Sequence, residues 1–213
     1  MRQSPEPCYA STEAPLSTRM NAVLDVPGIR ERISPLSVAE YHQLGEFNEI
    51  GRRTELIRGI IIEKVSKSPL HRFTANALRR ILKVQIAPDF TLFSQDPITT
   101  IDSEPEPDLM VVRGDEAVFL ATHPTTAELV IEVAVSSPAI DRVKASIYAA
   151  AGVKEYWIVC PREKQVEVYR QPGAQGYAER TVLTAPVVLE CAALPGVRVD
   201  LGAVFSEASK ATE

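Results

Sequence analysis

Leu129-Val130-Ile131-Glu132-Val133-Ala134-Val135-Ser136-Ser137-Pro138 is the stretch on which the fold turns. A segment apolar on both faces reads as a central strand covered on both sides. Ser137-Pro138 then supplies a cap and a first-turn proline, predicting a helix that runs to Ala151 and stops at Gly152. Glu155 to Cys160, bounded by Pro161, reads as the next strand. Strand, helix, strand predicts a parallel crossover. Glu132 is the anomaly inside the run. A lone carboxylate among apolar residues is costly to bury unless it is paired or metal-bound. The ordinary alternative is a carboxylate at a strand end, paired with a neighbouring Arg or Lys.

Working outward, Ser37 opens a short helix to about Phe47. Thr54 to Val65 reads as extended chain, with Gly59 as a bend and Ile60-Ile61-Ile62 as a β-branched run. A helix follows over about 70–86. Leu70, Phe73, Ala77, Ile81 and Val84 mark its apolar side, and Arg72, Asn76, Arg79 and Lys83 the opposite one. Strands are predicted over about 90–94, 97–101, 107–113 and 127–135. A hairpin is expected around Pro172-Gly173, and a last short strand near Val197 to Val199. Residues 1–35, with five prolines among polar residues, read as a largely disordered tail, and 206–213 as a frayed end. The fold class is therefore α/β or α+β: one domain over 36–205, a mixed central sheet with helices on its faces.

Composition sets the bounds. The 213 residues carry 23 Lys and Arg against 28 Asp and Glu, a net charge of −5. A partner nucleic acid would have to meet a local basic face rather than the net field. No apolar run is long enough to span a bilayer, and the N-terminus has neither the apolar core of a secretory signal nor the acid-poor look of a transit peptide. Cys8, Cys160 and Cys191 form no Cys-x-x-Cys pair, which argues against a disulfide framework or zinc module and suits a reducing cytoplasm. There is no phosphate-binding Gly-x-x-x-x-Gly-Lys loop, no Gly-x-Gly-x-x-Gly turn and no Gly-x-Ser-x-Gly elbow.

Four further residues attach to Glu132. Asp108 opens the apolar strand Leu109-Met110-Val111-Val112 after Pro105-Glu106-Pro107. It reads either as a turn aspartate or as the second carboxylate of a sparse site for a hard divalent ion. Lys144 shares a helix side with Asp141 and Tyr148, opposite Ile140, Val143 and Ile147. It could reach back over Glu132, although helical arithmetic favours a solvated lysine paired to Asp141. Glu55 is an edge-strand charge or a site member. His71, at the start of the basic helix, is more ordinarily a surface or capping residue. His42 and His123 join no constellation, and Tyr156 and Trp157 read as core.

At these residues the chain resembles the Uma-type restriction endonuclease family, a bacterial branch of the PD-(D/E)XK nuclease superfamily. The matching text is Glu55-Leu56-Ile57-Arg58-Gly59, Ser68-Pro69-Leu70-His71, Pro107-Asp108-Leu109, Glu132 through Pro138, Asp141-Arg142-Val143-Lys144, Tyr148, and Ala151 through Val159. The likeness covers about residues 36 to 205. It implies a restriction-endonuclease-like core whose site lies where the central strands diverge. It implies that Asp108 and Glu132 hold Mg²⁺ or Mn²⁺, with the carbonyl of Val133 as a further donor and Glu55 in support. The superfamily places a lysine two residues after the acid, where this chain has Ala134. Lys144 is the natural substitute. The implied activity is metal-dependent hydrolysis of DNA, with a homodimer as a reasonable assembly. Arg72, Arg79, Arg80 and Lys83, together with His71, form a candidate phosphate track, or simply a solvated helix face. The rival reading is a catalytically inactive nuclease fold that binds DNA or protein.

Overall fold

The structure is a computed structural model that describes residues 23–46, 53–64, 66–136 and 138–210. The chain divides into two units, Met1–Pro35 and Leu36–Glu213. In the first unit, residues 23–35 form turns and a short 3₁₀ segment at Arg30–Arg32, and none of them is buried. Residues 1–22 of the expected tail lie outside the described residues.

The second unit begins with helix α1 (Val38–Glu46) and the hairpin β1 (Thr54–Ile57) and β2 (Ile60–Glu63). Arg58 (φ +51°) and Gly59 (φ +75°) form the two-residue turn. Positive φ at both central positions matches the strand twist, and glycine accepts it without strain. Helix α2 (Pro69–Lys83) follows, then β3 (Phe90–Phe93), β4 (Leu109–Arg113), β5 (Leu129–Val133), α3 (Ala139–Ala150) and β6 (Glu155–Cys160). The hairpin β7 (Gln165–Gly173) and β8 (Gly176–Thr184), strands β9 (Val188–Glu190) and β10 (Arg198–Asp200), and helix α4 (Leu201–Lys210) complete it.

Strands β3 to β8 make one mixed sheet in sequence order. Every neighbour is antiparallel except β5 and β6, which run parallel, as the crossover through α3 requires. Side chains alternate across the sheet, so two cores form. Leu109, Val111, Ile131, Val133 and Trp157 pack with Leu78 and Leu82 of α2 and with Val204 and Phe205 of α4. Met110, Val112, Val130, Ala134 and Ile158 pack with Ala145 and Tyr148 of α3. Residues 108 and 132 have the parity of this second face, which fixes which helix they meet.

Four expectations are corrected. Residues 97–101 are loop, because the N–H groups of Ile98 and Thr99 go to the carbonyls of Pro105 and Pro124 rather than to a strand. The buried side of α2 is Thr74, Ala77, Leu78 and Leu82, a rotation away from the predicted stripe, and Val84 is 82% exposed. Thr74 can be buried because its hydroxyl donates to Leu70 O at 2.9 Å. The β7–β8 turn falls at residues 174–175, since Pro172 still pairs with Tyr177. The chain stays helical through Lys210 instead of fraying at Ser206, anchored by buried Val204 and Phe205. The predicted cap Ser137, and the ends at Phe47 and Val65, lie outside the described residues. Among those described, no helix is long and apolar enough to cross a membrane.

Candidate functional site

The site begins with strand register. In β4 and β5, Leu109 faces Ile131 and Met110 faces Val130. One step beyond the last pair, Asp108 falls opposite Glu132. The backbone locks the two carboxylates together: Asp108 N–H donates to Glu132 Oε2 at 3.3 Å, and Val133 N–H donates to Asp108 Oδ2 at 2.8 Å. Both acids are almost wholly buried.

Helix α3 lies over this face. Asp141, Lys144 and Tyr148 are its inward polar side, at helical spacing. Lys144, only 4% exposed, does not reach solvent as helical arithmetic predicts. Its Nζ sits 2.9 Å from Glu132 Oε1 and 2.9 Å from Glu55 Oε2, with Asp141 Oδ1 at 3.9 Å. Tyr148 O–H donates to the same Glu132 Oε1 at 3.1 Å. Glu55 arrives from β1 and accepts from Glu106 N–H at 2.8 Å and from Lys64 Nζ at 3.3 Å. The outward side of α3, Ile140 and Val143, is exposed.

The segment entering α2 closes the other side. Ser68 caps α2 by accepting from His71 N–H at 3.2 Å. The His71 ring then points inward, its Nε2 2.9 Å from Asp108 Oδ2. Lys67 Nζ lies 2.5 Å from Asp108 Oδ1. A cleft of about 550 Å³ opens here, lined in part by Glu55, Lys64, Lys67, His71, Asp141 and Arg162.

Electrostatics follow from this crowding. Burial pushes the Glu132 carboxyl up to about 8; Lys144 opposes the rise, while Asp141, Asp108 and Glu55 add to it. Asp141 is pushed up to about 6, again chiefly by burial. Asp108 goes the other way, to about 2, because the His71 hydrogen bond and the Lys67 charge outweigh its desolvation. Burial also works against the Lys144 ammonium, but Glu132, Glu55 and Asp141 overcome it and hold that charge firmly on. Glu55 is lowered, Lys144 and Lys64 outweighing its burial. The cluster is thus an excess of carboxylates around a few lysines, an environment that favours added positive charge.

Two carboxylate oxygens are lightly used. Among the described residues, Asp108 Oδ1 has Lys67 and Glu132 Oε2 has only the long bond from Asp108 N–H. No three His, Cys, Asp or Glu groups among them form a protein-only metal cage. Mg²⁺ does not ask for one; it takes one or two carboxylates and fills its shell with water and phosphate oxygens. Asp108 and Glu132 fit that donor set.

The structure therefore brings Asp108, Glu132, Lys144 and Glu55 together, with His71 joining them as a partner of Asp108. Arg72, Arg79 and Lys83 are exposed along α2, leading away from the cleft. Lys67 and Arg162 join the site without any signal in the sequence. No periodicity marks a lysine in a loop, and only the sheet reveals that it lands on Asp108. Asp141 is legible in the sequence as a partner of Lys144 but not as a site residue.

The family model described as Uma2, putative restriction endonuclease, matches residues 38–202. None of the curated proteins matches the chain. A crystal structure from Anabaena variabilis, titled as a putative nuclease belonging to DUF820, is similar at a TM-score of 0.70 and 20% identity, covering 82% of this chain and 99% of that one. That likeness speaks for the fold.

Proposed function

The chain belongs to the Uma2 family of restriction-endonuclease-like proteins, and from that premise we propose that its cleft hydrolyses phosphodiester bonds in DNA with Mg²⁺ or Mn²⁺ held by Asp108 and Glu132. The observation that carries this reading is the placement of two buried carboxylates opposite each other on β4 and β5 with the Lys144 ammonium beside them. A divalent ion bound there would lower the pKa of a coordinated water and neutralise phosphate charge.

The chain's own residues do the rest. Asp108 and Glu132 would fix the ion's position because Glu132 is tied to the backbone N–H of Asp108, and Asp108 to that of Val133. Lys144, kept charged by Glu132 and Glu55, offers a preorganised cation to the charge that develops on the attacked phosphate. It takes the part that the superfamily gives to the position of Ala134. Glu55 aims Lys144 and is itself steadied by Lys64 and the N–H of Glu106. Arg162 at the cleft, and Arg72, Arg79 and Lys83 along α2, supply phosphate contacts that set position without reading sequence. Cutting both strands of a duplex takes two such sites, which a homodimer provides. Buried, unpaired Cys160 and Cys191 support a cytoplasmic setting.

Plasmid nicking with added Mg²⁺ or Mn²⁺ tests the reading. Cleavage should be lost in Asp108→Asn and Glu132→Gln; cleavage that survives unchanged in both overturns it. Ala134 motivates the second reading, a DNA-binding module without catalysis. Metal-independent DNA binding with no nicking would favour that one.

A further inference from the structure

Asp108 uses its two oxygens differently. Oδ2 is held from inside the fold, by Val133 N–H at 2.8 Å and His71 Nε2 at 2.9 Å. Oδ1, among the described residues, has one partner, Lys67 Nζ at 2.5 Å, and Lys67 lines the cleft. Lys67 belongs to no helix or strand. It lies in the segment between Glu63 and Pro69, and its side chain is 21% exposed at the wall of the cleft. The contrast with Lys144 is sharp. Lys144 is sealed under α3 and shared between Glu132 and Glu55, so it cannot leave without stranding both acids. Lys67 has one carboxylate oxygen to release, a flexible four-carbon stem and an open cleft to move into.

We infer that Lys67 is a displaceable counter-ion: it holds the seat of the divalent ion at Asp108 Oδ1 and gives it up when the ion enters. This rests on reading Asp108 and Glu132 as the ion's ligands. The single charge of Lys67 keeps Asp108 paired in the metal-free chain. The cost is competition, so the ion binds more weakly than the two carboxylates alone would allow. Once displaced, the ammonium remains in a cleft it shares with Arg162, Ser66 and Ser68, on the side from which an anionic substrate approaches.

The test is thermal unfolding of the full chain titrated with Mn²⁺ alone, comparing wild type, Lys67→Met and Lys67→Arg. A ligand that binds only the folded state stabilises it by RT ln(1 + [L]/Kd), so the dependence of Tm on Mn²⁺ concentration reports the Kd of the ion. The Kd for Mn²⁺ fitted from that dependence should fall about tenfold in Lys67→Met, where no charge competes, and stay near wild type in Lys67→Arg. An unchanged or higher Kd in Lys67→Met, with wild type still responding, overturns the counter-ion role and leaves the nuclease reading standing. An equal gain in both variants also overturns it, since the effect would not be one of charge. No response to Mn²⁺ in wild type or variants removes both. Should Lys67→Met fold poorly, Lys67→Gln with free Mn²⁺ counted by electron paramagnetic resonance gives the same comparison at fixed temperature.

Discussion

Glu132 carries the argument at the scale of single residues. It is an acid that interrupts an apolar strand, and burial holds its carboxyl up to about 8 while Lys144 sits 2.9 Å away. Removing the lysine head in Lys144→Met leaves the carboxylates of Glu55 and Asp141 without their shared cation, and Glu132 without its partner. The expected loss is about 3–5 kcal/mol of stability at pH 7, read by urea unfolding. Glu132→Gln should instead fold and lose at least ~100-fold in nicking rate. The same variant isolates a pH effect. In chelator, Glu132 keeps its proton in the folded chain to about pH 8 but ionises near ~4.3 when unfolded. Over that window the folded state binds more protons, so this group's contribution falls as pH rises. Wild type should therefore lose stability relative to Glu132→Gln between pH 5 and pH 8; a constant difference between the two would refute the assignment. Asp108, held down to about 2, has the opposite sign. Its contribution is complete above the unfolded value and disappears as pH falls toward 2.

At the scale of elements, the start of α2 ties local structure to the site. Ser68 accepts from His71 N–H, and the His71 ring accordingly meets Asp108. Ser68→Ala should cost about 1 kcal/mol, a Tm lower by about 2–4 °C for a domain of this size. A Tm unchanged by that substitution would show that the cap does not hold the helix start. Elements also explain what could be read from sequence. Strands β4, β5 and β6 are legible because a doubly covered strand leaves an unbroken apolar run, and the acids at 108 and 132 are legible because they break it. Their parity even gives the face. Residues 97–101 mislead because Ile98 is buried in a loop, where burial carries no period. The short β9 sends one residue, Leu189, into the core and does not announce itself, and α4 offers a single i, i+3, i+4 set, Leu201, Val204 and Phe205, too short a run to show a period. Lys144 is visible as a helix position, yet its burial depends on Glu55 arriving from β1, 89 positions earlier. Lys67 has no local signature at all, since its partner is supplied by the sheet.

At the scale of the whole molecule, the question is how a chain of net charge −5 engages a polyanion. Its excess acid is not spread evenly. Glu55, Asp108, Glu132 and Asp141 are buried around lysines, and Glu167 is clamped between Arg142 and Arg180. Arg72, Arg79 and Lys83 lie on the solvent side of α2, and among the described residues none of them is in an ion pair, whereas Arg80 is drawn 3.7 Å from Glu207. Twelve residues of helix separate His71 from Lys83, a run of about 18 Å, which is about five base pairs of duplex. Such a row would follow a phosphate backbone outward from the cleft. Each phosphate left without its cation should reduce the slope of log K against log salt by about 0.9. The triple variant Arg72→Gln, Arg79→Gln, Lys83→Gln is thus expected to bind duplex DNA more weakly at low salt, with a slope shallower by up to about 2.7. Its melting temperature should hold, because none of the three side chains enters a core. A slope equal to that of wild type would make the row a solvated helix face, and the phosphate path would then have to run past Lys67 and Arg162 at the wall of the cleft.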